Sequence, residues 1–168
     1  MQAVYLPKER ASDLYQQRKQ DNEVILYFSL EGTLPAEHIL VLNRQFGTLS
    51  YLSRGVDRPR LVVQQQFTNS ELSLLLPLLE LFPHYCPYEV MFANFYNGTI
   101  TDEKVEHCRQ LLYKALEEGV WDQQLRPIRN VLSRTRFKLR PFGIDISSIL
   151  ETGYILLVTP RPKSEEIA

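Results

Sequence analysis

Cysteine is scarce in this chain: Cys86 and Cys108 are the only two, and they form no CxxC. A pair of thiols is not the disulfide framework of a small secreted domain, so both are expected to be free. Long apolar runs are also missing. The longest, residues 72–79, is interrupted by Ser73 and Pro77 and falls short of the roughly 18 residues that a membrane span requires. The first 21 residues carry Lys8, Glu9, Arg10, Asp13, Arg18, Lys19 and Asp21 without an apolar core. They read as a polar arm and not as a secretory leader, and a cytoplasmic location is expected, with no membrane partner. The net charge is only −1, which excludes a global pull toward nucleic acid and requires any basic surface to be local. Catalytic signatures are missing as well. There is no glycine-rich phosphate loop, nucleophile elbow or HExxH, so neither an enzyme nor a cofactor is expected. His84, Cys86, His107 and Cys108 are of zinc-ligand type but lack finger spacing, and adjacent helical residues such as His107 and Cys108 diverge by about 100°.

What is present is the composition of a core-forming chain: 168 residues, 44% hydrophobic and 23% charged, near the upper end of one ordinary domain. Residues 1–22 form the polar arm, in which 11–19 could make a short helix. A β-rich segment, 23–66, follows. Val24, Ile25, Leu26, Tyr27 and Phe28 suggest a buried strand ending at Gly32. Residues 33–47 admit either a helix stopped by Gly47 or an extended segment. Residues 47–53 and 60–65 read as a hairpin around Arg54, Gly55, Val56 and Asp57.

The helical part opens at Thr68, whose hydroxyl and the Glu71 carboxylate have capping-box spacing. A leucine-rich helix to Phe82 is expected, loosened at Pro77. Pro87 opens a second helix over 88–96, stopped by Asn97 and Gly98. Thr101 and Asp102 begin a third, on which Val105, Cys108, Leu111, Leu112, Ala115 and Leu116 share one face until Gly119. Its apolar face predicts packing on the core, or a homodimer or protein contact through 101–118.

A fourth helix is predicted from about Arg126 or Pro127 to Arg140. At 100° per residue, Ile128, Val131, Leu132, Thr135 and Leu139 face inward, while Arg126, Arg129, Asn130, Ser133, Arg134, Phe137 and Arg140 face outward. Arg136 and Lys138 add to the cationic density, and no acidic residue interrupts it. Such density suits phosphate neutralisation, and Asn130, Ser133 and Arg134 match the donor and acceptor patterns of base edges. Phe137 would touch thymine methyls or a protein partner. Residues 144–149 and 154–158 then form a terminal hairpin, and 159–168 a charged, proline-containing tail.

Several segments together carry a resemblance. Phe67, Thr68, Asn69, Ser70, Glu71, Leu72, Leu74 and Leu75 are similar to an LTxxEFxLL helix opening, and residues 87–98 to a short second helix ending in an aromatic and a glycine. Residues 133–139 resemble SRLRRKL, and residues 146–156 resemble IETVRGVGYRL. In this order they resemble the OmpR/PhoB winged-helix family over roughly residues 48–158. The resemblance implies an α+β fold: a winged helix-turn-helix with an N-terminal antiparallel β-sheet and a C-terminal β-hairpin wing, over 67–158. It implies a regulator that lays its third helix in the major groove of double-stranded DNA. The chain departs from the family at Thr135, where an aliphatic residue is usual, and in the wing, where Leu150 and Ile155 replace arginines. It also inserts a helix over 101–118 and has too few residues before 57 for a receiver domain. The expected DNA contacts are Arg126, Arg129, Asn130, Ser133, Arg134, Arg136, Phe137, Lys138 and Arg140. The alternative is a winged-helix protein-interaction module.

Overall fold

Alternation of apolar and polar side chains makes the first half of the chain a sheet, since each strand can bury only one face. The computed structural model describes residues 24–30, 33–54 and 58–159. The possible helix over 11–19, Gly32, most of the 54–57 turn and the tail beyond 159 lie outside the described residues. Strands β1 (Ile25–Phe28), β2 (His38–Asn43), β3 (Thr48–Arg54) and β4 (Pro59–Gln66) pair antiparallel in sequence order. The register aligns Leu26 with Leu42, Leu42 with Leu49, Leu40 with Tyr51, and Tyr51 with Val63, so these side chains share the inner face. The expected hairpin is β3 and β4. The segment that admitted helix or strand is β2. The reading of residues 24–28 as a buried strand is corrected: β1 is an edge strand with Tyr27 64% exposed, and only Leu26 and Phe28 reach the core. An all-apolar run cannot reveal which of its faces lacks a neighbour.

Four helices among the described residues follow: α1 (Asn69–Glu80), α2 (Tyr88–Asn97), α3 (Asp102–Glu117) and α4 (Trp121–Leu139). The chain is thus α+β, with four helices and two antiparallel sheets. At α1 the capping box forms: the Thr68 N–H donates to Glu71 Oε1 at 2.8 Å and the Glu71 N–H to Thr68 Oγ1 at 3.3 Å. Pro77 stays inside α1 because the carbonyl it leaves unserved, that of Ser73, accepts at 2.6 Å from the amide of buried Asn94 on α2. The helix ends at Glu80, two residues short of the expected Phe82. Gly98, at φ 69°, closes α2 in the left-handed conformation. On α3, Val105, Cys108, Leu112 and Ala115 are buried, whereas Leu111 and Leu116, expected on the same face, lie at its exposed margin.

The start of α4 is a further correction. It begins at Trp121, not at Arg126 or Pro127, so Pro127 sits two turns inside it. Burial offsets the one hydrogen bond lost, since Leu125 is fully buried and the Trp121 ring packs edge-on to Tyr88 at 5.5 Å. The helix also stops one residue early, and Arg140 opens a 3-10 turn (Arg140–Phe142).

The terminal hairpin is β6 (Ile144–Ile149) and β7 (Gly153–Val158), and β7 also pairs with β5 (Tyr85–Pro87) in the order β5-β7-β6. Only glycine fits at 153, because a Cβ there would lie 2.2 Å from the Cys86 carbonyl oxygen across the β5–β7 pair. One continuous core joins the inner face of β1–β4, the helices and the second sheet. Thr135 is fully buried within it, its hydroxyl donating to the Val131 carbonyl at 2.8 Å.

Candidate nucleic-acid interface

The 3.6-residue period of α4 separates two chemistries. Leu125, Ile128, Val131, Leu132, Thr135 and Leu139 are buried, and Arg126, Arg129, Asn130, Ser133, Arg134, Arg136 and Phe137 are exposed. Arg140, just past the helix, is exposed too. The structure therefore brings eight of the nine candidate residues onto one surface.

Lys138 is the exception, because its ammonium is engaged within the fold. Its Nζ turns under the helix, donating to Glu71 Oε1 at 2.7 Å and to the Gln66 carbonyl at 3.0 Å, and lies 5.5 Å from the centre of the Phe67 ring. The Glu71 side chain is 1% exposed. Burial by itself would raise its pKa, but the Lys138 ammonium and the Thr68 N–H and hydroxyl outweigh that and hold it below the usual carboxylate range. Lys138 is thus a tie between α4, the end of β4 and the start of α1.

The remaining cations are in different states. Arg129 pairs with Asp122 on the first turn of α4 at 3.0 Å, and Arg136 pairs with Asp145 of β6 at 3.0 Å. The Arg140 guanidinium lies 5.8 Å from the centre of the Phe137 ring, whose residue is 68% exposed. Arg126 and Arg134 form no ion pair among the described residues.

Between α4 and the β6–β7 hairpin runs a cleft of about 470 Å³, lined among others by Arg129, Ser133 and Arg136 on one side and Ser148 and Glu151 on the other. Its floor is aromatic: Tyr88 stacks edge-on between Trp121 and Tyr154, the latter at 5.2 Å. Burial, then the neighbouring Tyr154, pushes the Tyr88 hydroxyl up to about 12 against the opposing pull of Arg129, and it donates to the Ile149 carbonyl at 3.4 Å. Burial likewise raises Tyr154. Both phenols therefore remain protonated at neutral pH. At the hairpin tip Leu150 is 86% exposed.

Asp122, Asp145, Ser148 and the aromatic floor were not foreseen. Asp122 had a legible signal, since an acidic residue suits the positive end of a helix and would have marked the true start of α4. Asp145 had none, because its pairing with Arg136 depends on where β6 lies. Of the zinc-type residues, His107 is exposed and Cys108 buried, on divergent faces of α3. Among the described residues no three or more histidine, cysteine or acidic side chains cluster as metal ligands would. Burial also raises the Cys108 thiol, which works against a nucleophilic thiolate. No helix among the described residues is long and apolar enough to cross a membrane. No protein-family model, curated protein or solved structure matches this chain.

Proposed function

We propose that the chain is a winged-helix double-stranded DNA-binding protein, acting in transcription regulation, with α4 as the helix that enters the major groove. The observation that carries this reading is the outward face of α4, where Arg126, Arg129, Arg134 and Arg136 are exposed beside Asn130 and Ser133 on a helix anchored by fully buried Leu125, Ile128 and Leu139. Guanidinium groups neutralise phosphates and bind guanine edges bidentately, while amide and hydroxyl groups suit adenine and mixed acceptors. The element order also supports it, since α1, β5, α2, α4 and the β6–β7 hairpin follow one another as helix, strand, helix, helix and wing. In this reading α3 is an insertion between the second and third helices.

Titration of a labelled random duplex tests the proposal. The wild-type chain should bind at about 50 mM salt and weaken steeply by about 200 mM. Replacing Arg126 and Arg134 by Glu should abolish binding and leave the thermal unfolding transition unchanged, because neither side chain touches the core. Absence of wild-type binding at low salt, or full retention by the double variant, refutes it.

A second reading is favoured by the exposed apolar groups. Phe137 beside Arg140, Leu150 at the hairpin tip, and Leu111, Tyr113 and Leu116 on α3 are the residue types that anchor protein partners. Under this reading Phe137→Ala weakens capture of an acidic partner protein and leaves duplex binding unchanged.

A further inference from the structure

We propose that Asp122 and Asp145 are specificity-determining residues that hold Arg129 and Arg136 away from indiscriminate phosphate contact; this rests on the reading of α4 as a duplex-binding helix. Asp122 lies on the first turn of α4 and Arg129 seven residues later, about 10.5 Å further along the axis. Helical side chains lean toward the N-terminus, and the half-exposed Arg129 side chain meets Asp122 at 3.0 Å. Arg136 crosses from α4 to β6 to meet Asp145 at the same distance. Both guanidiniums therefore lie along the protein surface at the cleft between helix and hairpin, with Ser133 between them.

The consequence is electrostatic. Lys138 is tied to Glu71, and the hairpin from 144 to 158 carries Asp145 and Glu151 but no cation. For a duplex that offers only phosphates, the surface of α4 presents Arg126, Arg134 and Arg140. A phosphate that takes Arg129 or Arg136 leaves an uncompensated carboxylate beside a polyanion. A base edge accepting two hydrogen bonds from one guanidinium offsets that repulsion, and an isolated phosphate contact does not. Exposed ion pairs are weak and exchange readily, so the carboxylates raise the threshold for non-specific binding without closing the site.

Counterion release gives the readout. Three available cations imply a slope of about −2.7 in log affinity against log salt, and five imply about −4.5. Between about 50 and 200 mM salt these correspond to losses of roughly 40-fold and 500-fold. The experiment compares the wild-type chain with Asp122→Asn/Asp145→Asn on a random duplex by fluorescence anisotropy. The expected result is tighter binding by the double amide variant at low salt, with a slope steeper by about 1.8. Asp145→Asn alone, which leaves the acidic first turn of α4 intact, should steepen it by about 0.9. Adding Arg129→Gln and Arg136→Gln to the double amide variant should return the slope to the wild-type value. Equal slope and affinity, or weaker binding by the amide variants, overturns it and leaves the DNA reading standing. Failure of every form to bind at low salt overturns both.

Discussion

Replacing Lys138 by alanine separates a structural cation from a nucleic-acid contact. Among the described residues its ammonium is the one charge partner of a Glu71 carboxylate that is 1% exposed, and it also serves the Gln66 carbonyl. Truncation leaves that carboxylate with the Thr68 N–H at 2.8 Å but no counter-charge among the described residues. Removing one partner of a buried pair costs about 3–5 kcal/mol, and the lower end applies because the Lys138 side chain is itself 26% exposed. For a domain of this size, about 3 kcal/mol lowers the melting temperature by roughly 6–12 °C. Thermal unfolding followed by circular dichroism at pH 7 measures this directly. The pH dependence supplies the sign. Glu71 has a folded-state pKa held below its ordinary value of 4.5, so its ionised form stabilises the fold above that value. The stabilisation is lost as pH falls through the depressed folded-state pKa. The wild-type chain should accordingly lose its advantage over Glu71→Gln on acidification below about pH 4.5. A melting temperature for Lys138→Ala within about 2 °C of wild type would refute the buried tie. A salt slope for duplex binding shallower by about 0.9 in the folded variant would return Lys138 to the phosphate contacts.

Gly153→Ala should destabilise the second sheet by about 1–3 kcal/mol, since the added methyl meets the Cys86 carbonyl and neither backbone can withdraw freely; an unchanged urea midpoint contradicts that close approach. Asn94→Ala should cost about 1–3 kcal/mol, because the Ser73 carbonyl left unserved by Pro77 loses its amide donor. Combining Asn94→Ala with Pro77→Ala, which restores a backbone N–H to that carbonyl, should cost less than the two single effects added together, and additive melting temperatures would show the two positions to be independent.

Local chemistry was sufficient for much of the molecule. The Thr68 and Glu71 spacing specified both halves of the α1 cap, Gly98 the end of α2, and alternation in 47–65 and 144–158 the two hairpins. The inward and outward faces of α4 followed from helical periodicity because Ile128, Val131, Leu132, Thr135 and Leu139 repeat at the period of the helix itself. Each of these features is set by residues within a few positions of one another, so the sequence contains all the interacting parts. Tertiary structure decided the rest, where the deciding partner is distant in the chain. The first turns of α4 before Pro127 exist because Trp121 finds Tyr88 and Leu125 finds the core. Strand β5 is too short to carry a period and exists because β7 passes beside it. The charge state of the candidate surface was likewise beyond local reading. Arg126, Arg129, Arg134, Arg136, Lys138 and Arg140 look alike as a run of cations, and only the fold assigns Lys138 to Glu71, 67 residues away, and Arg136 to Asp145 across the gap between helix and sheet. Periodicity tells which way a side chain points, but what it meets there is set by packing between elements whose order in space the local pattern does not encode.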